Sequence, residues 1–219
     1  MKFVKTILVF FIILCLSGCK YGADYIDPED RYIITAIGIQ KSNEGVMAVI
    51  EAPKEIDTKQ EAVKVFSASG KNIKKAIQNA SDKIPGELLF SQCPVILLDR
   101  SVEGDLIDDI FDLCLSDYEI SLSVQLIGCE NPQKILSEDT SDTSVGYTIH
   151  RTVNYSNKNF NFSGTSRFAK IFNDNYKTND FSIPCISLKN GIFLIDGFQR
   201  YRDNYLYDFV NVGALESYE

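Results

Sequence analysis

Residues 32–39 and 46–50 are two continuously apolar runs rich in β-branched side chains, separated by Ser42, Asn43, Glu44 and Gly45. A strand with one wet face alternates apolar and polar residues. Runs without alternation predict a hairpin covered on both faces, with the turn formers between them setting the reversal. The rest of the chain must then supply apolar material for two sides of a sheet. A third strand is expected over 62–68, with Gly70 after it.

From Lys71 the period lengthens from two to 3.6. Ile73, Ala76, Ile77 and Ala80 fall on one face, and Lys71, Lys74, Lys75 and Gln78 on the other, which predicts an amphipathic helix lying on the sheet. Pro85 and Gly86 close that unit, and a buried strand is predicted at 95–98. A second helix is predicted over 102–115. Its inner stripe is Ile107, Ile110, Phe111, Cys114 and Leu115, and its outer stripe Asp105, Asp108, Asp109 and Asp112. Leu122, Val124 and Leu126 alternate with Ser123 and Gln125, the pattern of a strand with one face covered and one more polar. Residues 137–166 are crowded with Ser, Thr, Asn and Asp and read as a polar, surface-lying insert, with 145–153 as its candidate helix. A short helix at 167–172 follows. Asn190-Gly191 between two apolar segments signals a hairpin, and a last strand at 205–210 follows the turn at Asp203 and Asn204. The fold class is α+β: a mixed, mainly antiparallel sheet with amphipathic helices packed on it, spanning 32–210.

The N-terminus obeys different rules. Lys2 and Lys5 precede an apolar run over 7–16, about half of the ~20 residues that a spanning helix needs, so residues 1–18 read as a cleavable signal. Leu16, Ser17, Gly18 and Cys19 resemble the bacterial lipobox. That resemblance implies cleavage between Gly18 and Cys19 and a diacylglyceryl thioether on Cys19, with 19–31 as a lipidated tether. Removing the leader takes away Lys2 and Lys5 and shifts the formal net charge from −8 to −10. So acidic a chain argues against nucleic acid and against an electrostatic grip on anionic lipid. The covalent lipid must hold it to the membrane.

The residues give little chemistry. Cys93, Cys114, Cys129 and Cys185 remain after the leader and lipid site are set aside; their spacing fits no C-x-x-C motif, and buried free thiols are expected in preference to a disulfide. His150, the chain's one histidine, lies in the polar stretch without metal-site spacing and reads as a solvated surface residue. The Asp105 to Asp112 stripe reads as a solvated helix face, since it lacks the Gly-centred loop of a calcium site. Tyr201, Tyr205 and Tyr207 at strand spacing read as packing. No nucleophile elbow, P-loop or dinucleotide fingerprint is present. The expectation is a non-enzymatic protein with neither a catalytic nor a metal site, and with no cofactor beyond the lipid on Cys19.

Several segments, in order, resemble the Ger(x)C family, the C-subunit lipoproteins of spore germination nutrient receptors. The lipobox cysteine is followed by an acidic tether and the strand Ile34, Thr35, Ala36, Ile37, Gly38, Ile39, Gln40. A Gly-led helix at 70–81, a strand opening at 89–98 and the apolar stretch before Pro132 come next. Asp196, Gly197, Phe198, Tyr201, Arg202, Asp203, Asn204 and Leu206 are similar to the family's closing strands. Lys20 stands where the family carries tryptophan. The resemblance implies a lipid-anchored subunit of a nutrient germinant receptor, on the outer face of the cell membrane or the spore inner membrane. Its partners would be integral-membrane receptor subunits, and residues 211–219 would begin a following domain absent here. The alternative from another class is a solute-binding lipoprotein that delivers a small molecule to a transporter.

Overall fold

The doubly covered hairpin is present, its buried residues shared between the cores on the two faces of the sheet. The computed structural model describes residues 31–54, 62–116, 119–138, 144–160 and 166–211. Strand β2 (Ala36–Ser42) pairs antiparallel with β3 (Gly45–Lys54), and Gly45 closes the turn at φ 115°, in the left-handed region that glycine tolerates. β4 (Ala62–Gly70) adds to β3. The predicted strand 32–39 is in fact two. β1 (Arg31–Ile33) leaves the main sheet to pair with β5 (Glu87–Leu89), and the chain bends at Ile34 and Thr35 before β2 begins.

Helix α1 (Ile73–Ser81) is capped by Asn72, whose side chain accepts from the Lys75 N–H at 2.9 Å, and it buries Ile73, Ala76, Ile77 and Ala80 as its period predicts. After β6 (Val95–Asp99) comes α2 (Asp105–Leu115), which buries Ile107, Ile110, Phe111, Leu113 and Cys114. Leu115, expected inside, is 52% exposed at the last turn, and Val102 is buried in the turn ahead of the helix. β7 is Gln125–Cys129, buried on both faces, with Leu122 exposed before it. The alternating strand predicted around 122–126 is therefore corrected: a parallel strand in mid-sheet has no wet face. α3 (Pro132–Leu136), α4 (Val145–Phe160) and α5 (Phe168–Thr178) lead to β8 (Asp180–Lys189), β9 (Ile192–Arg202) and β10 (Tyr205–Asn211). Both closing hairpins turn on paired positive-φ residues, Asn190-Gly191 and Asp203-Asn204, the backbone of a twisted two-residue turn.

The eight strands run in the order β10-β9-β8-β7-β6-β2-β3-β4. The four in the middle are parallel and each flank is antiparallel, so four of the seven pairings are antiparallel. The crossovers β4-α1-β6, β6-α2-β7 and β7-α5-β8 all step the same way along the sheet. Their helices share one core with Ile37, Ile50, Ile96, Leu126 and Ile183, the single face that same-handed connections require. α3 and α4 cover the opposite face over Ala36, Val49, Leu97 and Ile127. Phe111 joins α2 to α5 through Phe168 and Phe172 (ring centroids 5.7 Å apart) and to β8 through Phe181, which stacks on Tyr201 of β9 at 4.8 Å.

Candidate functional site

Polar groups inside an apolar core must be matched by partners, so they mark where the fold is most constrained. Glu51 lies on β3 and has no solvent exposure. Its Oε2 accepts from Thr35 Oγ1 at 2.7 Å, Ser144 Oγ at 2.8 Å and the Gly146 N–H at 2.9 Å, and Oε1 accepts from the Val145 N–H at 2.7 Å. Two of those donors are backbone groups at the start of α4, which have no intrahelical acceptor. A carboxylate there satisfies them and complements the positive end of the helix dipole. The bend at Thr35 that splits the predicted first strand serves the same contact: its N–H donates to the Glu51 carbonyl at 3.0 Å. Helix and sheet approach so closely that a Cβ on Gly146 would collide with the Thr35 carbonyl.

Further along α4, His150 and Asn154 meet Gln125 of β7, itself only 1% exposed. His150 Nδ1 lies 3.1 Å from Gln125 Oε1, Gln125 Nε2 donates to Asn154 Oδ1 at 3.0 Å, and Asn154 Nδ2 lies 3.0 Å from His150 Nε2. The three side chains close a ring of hydrogen bonds. The expectation that His150 is a solvated surface residue is therefore corrected: it is half-buried, with both ring nitrogens engaged. Its lone pair already accepts a hydrogen bond in this ring, which leaves it poorly placed as a base or metal ligand. Burial and then the Arg167 guanidinium hold its pKa below the ordinary 6.5. Sequence spacing missed this ring because Gln125 lies far from α4 in the chain; the i, i+4 pair His150 and Asn154 was the available sign.

Cys93, Cys114, Cys129 and Cys185 are free and buried, as the sequence reading favoured. Burial pushes Cys93, Cys114 and Cys185 up to about 12 and raises Cys129 as well, which keeps these sulfurs as thiols with little nucleophilic character. The aspartates of α2 face outward. Partial burial and then the neighbouring aspartates raise Asp109, while Asp108 accepts from Asn204 Nδ2 at 2.7 Å. Among the described residues no group of three or more His, Cys, Asp or Glu side chains is placed to hold a metal ion. Tyr201 is buried as expected, whereas Tyr205 and Tyr207 are exposed on β10. The Tyr207 ring lies under Arg202 and Arg200, at 4.6 and 5.3 Å. Gly18 and Cys19, the predicted cleavage and lipidation residues, lie outside the described residues. Among those described, no helix is long and apolar enough to cross a membrane.

None of the curated proteins matches this sequence. The crystal structure of the GerBC protein is similar at a TM-score of 0.40 and 15% identity; the match covers 81% of this chain and 52% of that one, so the chain spans about half the length of that structure. The model of the spore germination protein N-terminal domain matches residues 24–188, from ahead of β1 to the penultimate residue of β8. That is most of the chain, and the protein belongs to the family of spore germination protein N-terminal domains.

Proposed function

We propose that this chain is a non-catalytic, lipid-anchored subunit of a nutrient germinant receptor, working in spore germination beside integral-membrane receptor subunits. The observation that carries the reading is the family match over residues 24–188. The chemistry of the core is in keeping with it. Glu51 and His150 are occupied in holding α4 to the sheet, and the four buried thiols are poor nucleophiles. Cys19 would carry the lipid, placing the domain on the outer face of the membrane, and the protein surface would contact the partner subunits.

The test is a pull-down of tagged lipoprotein from detergent-solubilised spore inner membrane, with vegetative membrane as control. Recovery of multi-spanning partners from spores alone is the expected result. Absence of the protein from spores, or its recovery there without partners, would overturn the receptor reading.

A further inference from the structure

The ring Gln125–His150–Asn154 has a property that follows from counting donors and acceptors. Each carboxamide offers one oxygen acceptor and one nitrogen donor toward the ring, and a neutral imidazole likewise offers one N–H and one lone pair. Three such groups close a cycle in which each donates once and accepts once. An imidazolium donates from both nitrogens. Gln125 Oε1 and Asn154 Oδ1 would each then accept from it, leaving Gln125 Nε2 and Asn154 Nδ2 facing one another as two donors. No flip of either amide restores the third bond. Gln125 is 1% exposed, so water is poorly placed to replace it.

We propose that this ring is a pH-sensitive clamp that fastens α4 to the sheet while His150 is neutral and lets it go when His150 is protonated. α4 is also held at its first turn through Glu51, and by the apolar contacts of Val145, Ile149 and Val153. Loss of the ring frees the middle of the helix first. The charged group that acts on the imidazole is Arg167, at the cap of α5, and it opposes protonation together with burial. Arg151, next to His150 on α4, is exposed. The other elements packed on α4 carry Lys41, Asp99, Lys134, Asp196, Arg200 and Arg202. A histidine whose folded pKa is depressed stabilises the folded form fully above its unfolded value of about 6.5, and that stabilisation is lost as pH falls from there through the lower folded value. The clamp is closed at neutral pH and opens on the acid side.

Hydrogen exchange of the full-length chain in detergent, at about pH 7.5 and about pH 5 and corrected for intrinsic exchange, tests the clamp. Protection of the α4 amides is expected to fall roughly tenfold at the lower pH, as loss of about one hydrogen bond would give, while α1 keeps its protection. His150→Gln should remove the pH dependence. Asn154→Asp should reverse it. A carboxylate accepts from both the imidazolium Nε2–H and Gln125 Nε2–H, so the charged ring closes, and the single histidine resonance should titrate above 6.5 instead of below. Equal α4 protection at the two pH values in the unmutated chain would overturn the proposal, as would an acid loss surviving in His150→Gln. If Asn154→Asp does not fold, the unmutated chain and His150→Gln still decide between these outcomes.

Discussion

Glu51 shows why single polar residues in this protein carry more than their share of the fold. Its carboxylate meets four donors from three places in the chain: Thr35 before β2, Ser144 ahead of α4, and the first two backbone N–H groups of α4. Exchanging one carboxylate oxygen for an amide nitrogen leaves the shape intact but sets a donor against donors, and the charge that matched the helix dipole is lost. Glu51→Gln is expected to lower unfolding stability by about 3 kcal/mol, the scale of losing a buried charged hydrogen-bond partner. Urea denaturation of the variant beside the unmutated protein would read it. A loss under about 1 kcal/mol would mean that water or relaxation replaces the contact. The sequence stopped its second strand at Ile50 because an acid after an apolar run looks like an end. The strand in fact continues to Lys54, since three of the four donors that make Glu51 tolerable lie more than ninety residues away, in a stretch that reads as merely polar.

At the scale of elements, legibility follows whether an element's reason for existing is local. α1 has its period, its apolar stripe and its Asn72 cap within ten residues, and all of it was readable apart from the cap. Asn72→Ala removes the acceptor for the Lys75 N–H and is expected to cost about 1 kcal/mol, measured by thermal or urea unfolding. The cost should stay small because the helix is held mainly by Ile73, Ala76, Ile77 and Ala80 against the sheet. The two closing hairpins were legible for the same reason, since Asn190-Gly191 and Asp203-Asn204 carry the turn conformation in their own backbones. β7 was not. Its direction and doubly buried position come from parallel neighbours on either side, and Gln125 reads as solvent-facing until His150 and Asn154 are brought to it. α4 lay between: its apolar residues at 145, 149 and 153 announced a helix, but its sixteen-residue length within a polar stretch did not.

For the molecule as a whole, the charge balance sets how a membrane could hold it. The formal charge is −8, and would be −10 if residues 1–18 are cleaved as a leader; lipid surfaces that attract proteins electrostatically do so through clustered Lys and Arg. Several basic residues on the surface are paired: Arg31 with Glu87, Arg100 with Glu130 and Phe209, Lys170 with Asp174, Arg200 with Asp208 and Arg202 with Asp180. Exposed pairs of this kind add little stability, but they reduce the positive potential available to a lipid headgroup. If anchoring rests on Cys19, retention depends on buried methylenes, each worth roughly 0.8 kcal/mol, and hardly at all on ionic strength. Membranes carrying the protein should therefore keep it through a wash in about 1 M salt, where charge interactions are screened within about 3 Å, and yield it to detergent. Cys19→Ala should leave the domain folded and move it to the soluble fraction at every salt concentration. Release of the unmutated protein by salt would assign its retention to charged partners, and continued membrane retention of Cys19→Ala at high salt would assign it to another anchor.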